Sequence, residues 1–248
     1  MSAKSTANAT SSPSTGNTLT ADVAADIHHF FTALTSQPGV FFFNEADLQI
    51  HLAIYLKTLT APSGAPRYDD VEVEYFVPIG ALPAYMWNMM NGPKIDIVVR
   101  RGSAFVPVEL KYSTVPVHLN VTRFGHLLSG LPPIVKHRGA QNLTRYGFWK
   151  DVKRLELLKR RFVPNVVGGI ALFLTNDMAF TKQTRQTSSN FIFSMNAGPH
   201  GPKMYWQRQT KMAQQKQYQP FCLAKAYTLQ WTPASISGVP FQYTLLKV

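Results

Sequence analysis

The segment PKIDIVVRRGSAFVPVELKY, residues 93–112, constrains the fold of this chain more than any other. Two β-prone runs flank Gly102-Ser103, and glycine at the first central position is what a two-residue type II′ hairpin turn requires. The turn fixes the register. Arg101 faces Ala104, and counting outward in pairs sets Asp96 directly opposite Glu109, with Lys111 two residues further along the same face. The other face carries Ile95, Ile97, Val99, Val106, Val108, Leu110 and Tyr112. It is uniformly apolar, so the ribbon must lie in a sheet with at least one covered side.

Opposed carboxylates in a hairpin have Cβ atoms about 5 Å apart, and like charges so placed destabilise the folded chain. Folding does not need that arrangement, but a divalent cation does. Two carboxylates, completed by waters and phosphate oxygens, form the hard oxygen set that Mg²⁺ prefers. The Lys111 ammonium beside them suits the charge that develops on a phosphoryl group, or the positioning and deprotonation of an attacking water. The three residues together point to phosphodiester hydrolysis.

The flanking sequence predicts what covers the ribbon. Residues 1–20 are mostly Ser, Thr, Ala and Asn, and are expected to form a disordered tail. Residues 21–35 place Val23, Ile27, Phe30 and Phe31 on one helical stripe that ends at Gln37-Pro38-Gly39. Asn44 is a good N-cap for a second helix, with Asp47 three residues on and Leu48, Leu52, Tyr55 and Leu59 at helical spacing. Strands are predicted at 71–77, 94–100 and 105–112, with the aromatic and Met-rich stretch 80–92 as a lid over the core. Residues 113–139 read as a long irregular loop. Residues 139–162 read as a helix with Val152, Leu155 and Leu158 inward and Lys150, Lys153, Arg154 and Arg161 outward. VVGGIALFL, residues 166–174, has the character of a strand buried on both faces. A solvent-facing basic stretch, 178–219, with a short strand at Phe191–Phe193, then leads to late strands at 221–231 and 241–247 that extend the sheet.

Asp96, a twelve-residue gap and Glu109-Leu110-Lys111 resemble the motif of the PD-(D/E)XK nuclease superfamily, the restriction-endonuclease-like fold. A helix bearing an acid (NEADLQIHLAIYL), the three strands, the helix after ELKY and the apolar strand beyond it extend the likeness over roughly residues 40–177. Pro93 stands three residues before Asp96 and Ile95 directly before it, so ELK is the stronger half of the motif. The resemblance implies an α/β (α+β) fold with an αβββαβ core, a central mixed sheet flanked by helices, and extra C-terminal strands. It implies Asp96 and Glu109 as metal ligands, the Leu110 carbonyl as a further oxygen, Lys111 as the catalytic lysine and Glu45 as the helix acid of the site. An acid in the first turn of a helix is also favoured by the macrodipole alone, which gives Glu45 a structural reading. Mg²⁺, replaceable by Mn²⁺, is the implied cofactor. DNA is the implied substrate, with RNA not excluded, and a homodimer is compatible with the way many proteins of that superfamily cut duplexes.

The charge distribution agrees with an anionic partner. The chain has 25 Lys and Arg against 13 Asp and Glu, a net charge of +12, and no carboxylate side chain follows Asp177. Arg145, Lys150 and Arg154 on the predicted helix are the expected phosphate contacts. Asp151 and Glu156 are expected to pair with basic residues of that helix. Cys222, the single cysteine, can form no internal disulfide and supports no tetrahedral zinc site. No apolar run reaches the roughly 18 residues of a membrane span, and a cytoplasmic location is expected. The chain is thus expected to be one domain, residues 21–248, with a core at 40–177 and a basic extension at 178–248. Its expected function is that of a Mg²⁺-dependent endonuclease in defence, repair or mobile-element biology. A second reading keeps the fold and nucleic-acid binding without catalysis.

Overall fold

The computed structural model describes residues 15–36, 39–78, 80, 82, 93–129, 133–136, 140–207 and 217–248. Helices α1 (Thr15–Thr35) and α2 (Glu45–Thr58) precede strands β1 (Asp70–Phe76), β2 (Lys94–Arg101) and β3 (Ala104–Ser113). A small ribbon, β4 (Val121–Arg123) and β5 (His126–Leu128), leads to helix α3 (Gln141–Arg161) and strand β6 (Ile170–Thr175). Four short strands follow: β7 (Gly198–His200), β8 (Lys203–Met204), β9 (Phe221–Cys222) and β10 (Tyr227–Leu229). The hairpin β11 (Trp231–Ile236) and β12 (Val239–Lys247) ends the chain.

The fold is mixed α/β, built on a six-stranded sheet in the order β1-β2-β3-β6-β12-β11. Strands β3 and β6 run parallel and every other neighbour is antiparallel. The single parallel pair follows from connectivity, since α3 carries the chain from β3 back to the start of β6, as a parallel crossover requires. Asn44 caps α2 as expected: its Oδ1 accepts from Asp47 N at 2.9 Å, while Asp47 Oδ2 accepts from Phe43 N at 3.0 Å.

Both faces of the sheet are covered. On β6, Ile170, Leu172 and Leu174 pack with Val23, Ile27 and Leu52 of α1 and α2, whereas Ala171 and Phe173 pack with Phe148, Trp149 and Val152 of α3. All six residues of this strand are buried, which accounts for its continuous apolar run. The sheet edges are β1, with exposed Glu72 and Glu74, and β11, which contains Pro233.

The structure departs from the sequence expectations in several places. Helix α1 starts at Thr15, inside the expected tail, because Leu19 stands four residues before Val23 and extends its buried stripe. The ribbon β4/β5 lies in the expected irregular loop. Phe191–Phe193 is a 3-10 turn instead of a strand. The final hairpin turns at Ser237-Gly238, both at positive φ, so its first strand is 231–236; residues 221–222 and 227–229 pair instead with β8 and β7. Most importantly, the segment after β6 is not merely a solvated basic stretch. Phe180, Phe193, Met195, Met204 and Trp206 are buried against α3, as single anchors without any period that sequence reading could detect. The stretch expected to form a lid lies outside the described residues except for 80 and 82.

Helix α1 approaches the lead-in to β6 very closely. A methyl group at Gly168 would lie 2.3 Å from Thr20 Oγ1 and 3.0 Å from its Cγ2. Gly168→Ala is therefore expected to destabilise the protein by roughly 1–3 kcal/mol. Thr20→Ala in the same background should recover most of that loss. Urea unfolding of the single and double variants measures both effects; full stability of Gly168→Ala would show that the helix is not pinned there.

Candidate active site

Strand β3 alternates between two environments. Val108, Leu110 and Tyr112 enter the core beneath α1 and α2, while Glu109 and Lys111 meet α3. The helix answers with a matched stripe, because Gly147, Lys150, Asp151 and Arg154 stand at i, i+3, i+4 and i+7. Arg154 Nη1 donates to Glu109 Oε1 at 2.7 Å, and Lys111 Nζ lies 2.7 Å from Asp151 Oδ2. Arg154 also stands 3.7 Å from Asp151 Oδ1, which links the two pairs. The Lys111 stem passes over Gly147, where a Cβ would be 3.5 Å from Lys111 Cε.

The expected hairpin register is observed from Arg101↔Ala104 to Ile97↔Val108, and there the ladder ends. Asp96 does not form a backbone pair with Glu109. Its Oδ2 reaches across and accepts from Leu110 N at 2.6 Å, taking a donor that a continued ladder would give to backbone. On the other side of Asp96, Glu74 of β1 has a φ of 52°, the left-handed region that non-glycine residues seldom adopt. Gln49 Nε2 of α2 bridges this break, donating to Asp96 O at 2.5 Å and Glu74 Oε1 at 3.2 Å. The distortion also moves Ile95, expected beside Ile97, to the opposite core with Val98 and Phe148.

Glu45, at the first turn of α2, accepts from Tyr112 N through Oε2 at 2.8 Å, which brings its carboxylate to the same end of β3. The electrostatics bind these groups into one unit. Burial pushes the Asp96 carboxyl up to about 6 against the pull of Lys111 and the Leu110 N–H, with Asp151 and Glu45 pushing the same way. Glu109 is only 2% exposed. Burial holds it well above the usual carboxylate range even though Arg154 opposes the shift, and Asp151 and Asp96 add to it. For Lys111, burial alone favours the neutral amine, but Asp151, Glu45, Glu109 and Asp96 together hold it above its ordinary value. The arrangement is a fixed cation beside two acids, Asp96 and Glu109, that resist ionisation.

The donor set matches a hard divalent cation in kind, with two adjacent carboxylates disfavoured as anions by burial and a neighbouring backbone carbonyl. In this arrangement Leu110 O accepts from Lys111 Nζ at 2.9 Å and Glu109 holds Arg154, so binding an ion there requires both cations to shift. Among the described residues no group of three or more His, Cys, Asp or Glu is spaced to hold a metal ion.

The expected phosphate contacts separate. Lys150 is half-buried beside the cluster; burial lowers its ammonium, Arg154 adds to that, and Asp151 opposes it. Arg154, expected on the outward face, turns inward to Glu109 because a buried carboxylate needs a counter-charge. Arg145 faces away from the cluster and donates through Nη2 to Ala179 O at 2.7 Å. Two members of the site went unrecognised in the sequence. Asp151 was expected to pair within its helix and does so with Arg154, but its shorter contact is to Lys111 across the sheet. Gln49 carried a visible signal, a polar residue four positions after Glu45 beside the apolar stripe of α2.

Comparison with known proteins yields no match. No family model, no curated protein and no solved structure matches the chain.

Asp96→Asn tests the electrostatic reading. Unfolded aspartate ionises near 3.8 and folded Asp96 near 6, so its ionisation erodes stability between about pH 4 and pH 6 and fully above that. The metal-free Asn variant is expected to match the parent near pH 4 and to exceed it by up to about 3 kcal/mol at pH 8. Urea unfolding in EDTA at both pH values decides it; a variant weakened at pH 8 would mean that the Asp96 carboxylate is structural, acting through Leu110.

Proposed function

We propose that this chain is a Mg²⁺-dependent nuclease with a restriction-endonuclease-like core, hydrolysing phosphodiester bonds in DNA. The observation that carries the reading is convergence: Asp96, Glu109, Lys111 and Glu45 come from α2, β2 and β3 and act on one another electrostatically at one end of β3. The order α2-β1-β2-β3-α3-β6, with the small ribbon β4/β5 inserted before α3, supports the αβββαβ core. The net charge of +12 supports a nucleic acid of either kind, and the choice of DNA over RNA rests on the resemblance of the motif alone.

Asp96, Glu109 and the Leu110 carbonyl are the residues to hold the ion. Bound Mg²⁺ supplies Lewis acidity and a water of lowered pKa. The chain's own residues do the rest. The Lys111 ammonium, kept protonated by the acids around it, stabilises charge developing on the phosphoryl oxygens. Asp151 holds Lys111 in place, and Lys150 faces the substrate as a second cation. With an ion held by Glu109, Arg154 would give up that carboxylate and could pair with a phosphate.

A second reading, a nucleic-acid-binding module without catalysis, has one observation in its favour: Glu109 with Arg154 and Lys111 with Asp151 already balance one another's charge as a structural ion-pair core does.

Incubation with circular duplex, linear duplex and single-stranded DNA in Mg²⁺, Mn²⁺ or EDTA separates the two. Cleavage is expected only with metal. Lys111→Ala should lower it by about 10²–10³-fold. Because that variant strands Asp151 in a buried position, Lys111→Met combined with Asp151→Asn serves as the charge-balanced control for folding. Binding without cleavage under every metal condition would favour the second reading.

A further inference from the structure

We propose that a second site, the pocket between the first turns of α3 and residues 179–190, holds a phosphate group of the nucleic-acid strand. It is separate from the acid–lysine cluster. The identity of the strand rests on the nucleic-acid reading above; the phosphate chemistry rests on the pocket itself.

The pocket has a volume of about 700 Å³, and no carboxylate lines it. Its deepest cation is Arg145, 5% exposed, with its guanidinium 4.8 Å above the Phe180 ring. One N–H is satisfied by Ala179 O, but Nε is buried with no acceptor. Nor does Arg145 have an ion-pair partner among the described residues. The nearby acid, Asp177, has its oxygens engaged by Gln141 Nε2 at 2.5 Å and Ala179 N at 2.9 Å. Asp177 acts on the guanidinium electrostatically but makes no direct contact with it, so a buried cation that cannot escape by losing its proton keeps an open donor.

Another lining group is also left open. Thr184 Oγ1 is buried without a partner, and Asn190, only 8% exposed, also lines the pocket. At the rim Lys182 and Arg185 are exposed, in a part of the chain that contains no acid. The arginines and lysine only donate, the amides and hydroxyls can donate, and no lining group is anionic, so a negatively charged acceptor can engage the whole set. A phosphate meets that description. Arg145 precedes Asp151 by six residues, about 9 Å along the axis of α3, and stands on a different face of the helix. The pocket would thus grip the strand outside the cluster, in a stretch that has no acid after Asp177.

The test is binding of a short fluorescein-labelled oligonucleotide in EDTA, read by anisotropy over a salt series, with inorganic phosphate as competitor. Cleavage plays no part in it. Lys182→Ala with Arg185→Ala alters only exposed side chains and is expected to weaken binding about tenfold or more and to reduce the salt slope by about two. Asn190→Asp, nearly isosteric, should cause a comparable loss by placing a negative charge in the pocket, and inorganic phosphate should compete in the parent but not in this variant. Lys159→Ala with Lys247→Ala, at the far ends of α3 and β12, removes equal charge and should leave affinity within about twofold. Equal losses from both pairs, or no loss from the first pair and from Asn190→Asp, would overturn the proposal. Oligonucleotide binding through the pocket by a protein that cuts nothing would leave the site standing and remove the nuclease; cutting that survives with unchanged binding would do the reverse.

Discussion

The rest of the structure depends on a carboxylate placed where carboxylates are least welcome. Glu109 sits on a central strand beneath a helix, and taking a carboxylate out of water costs several kcal/mol unless charge and hydrogen bonds are returned to it. The helix above must therefore present a cation at one register, Arg154, and an acid at another, Asp151, to balance Lys111. Sliding α3 by one turn, about 5.4 Å, would strand all four charges. The ion pairs thus specify how helix and sheet align, while the apolar residues beside them supply the cohesion.

The sheet sustains this demand because its two faces are stabilised independently. Helices α1 and α2 close one face, and α3 with the long C-terminal segment closes the other. The C-terminal segment does more than cover surface. Trp149, Trp206 and Trp231 each donate their indole N–H to a backbone carbonyl, those of Ser194, Tyr218 and Met195. Glu156, another buried acid of α3, accepts from Ala224 N and Tyr227 Oη as well as pairing with Lys153. Irregular backbone is thereby fastened to the outer side of α3 by polar ties between apolar anchors, and the inner side of that helix is left to the charged site.

Legibility in the sequence followed the range of the interactions. The hairpin was readable because a two-residue turn fixes neighbouring residues by arithmetic, and the ladder agrees with it from Arg101 to Ile97. Its break at Asp96 was not, since it depends on Gln49 and Glu74, residues 47 and 22 positions away in the chain. Helix α2 was visible through its cap, and β6 through its unbroken apolar run. Helix α1 was read too short because a single leucine, Leu19, stands among polar residues. The candidate site was half visible: Asp96, Glu109 and Lys111 declare themselves by spacing and type, and Glu45 enters only through the resemblance. The partner stripe of α3 does not, because an acid and an arginine on a basic helix look like ordinary solvation until the strand beneath them is known.

The two edges of the sheet carry a consequence for association. A strand edge is a template on which another chain can continue the sheet, and proteins guard it by removing donors or adding charge. Here β11 contains Pro233, which has no N–H to offer, and β1 displays Glu72 and Glu74, which would confront the same two acids if a second copy docked edge to edge. Sheet continuation is thus disfavoured at both ends. Two copies would meet less resistance through helices and loops than through the sheet, so an assembly of this chain need not align its sheets.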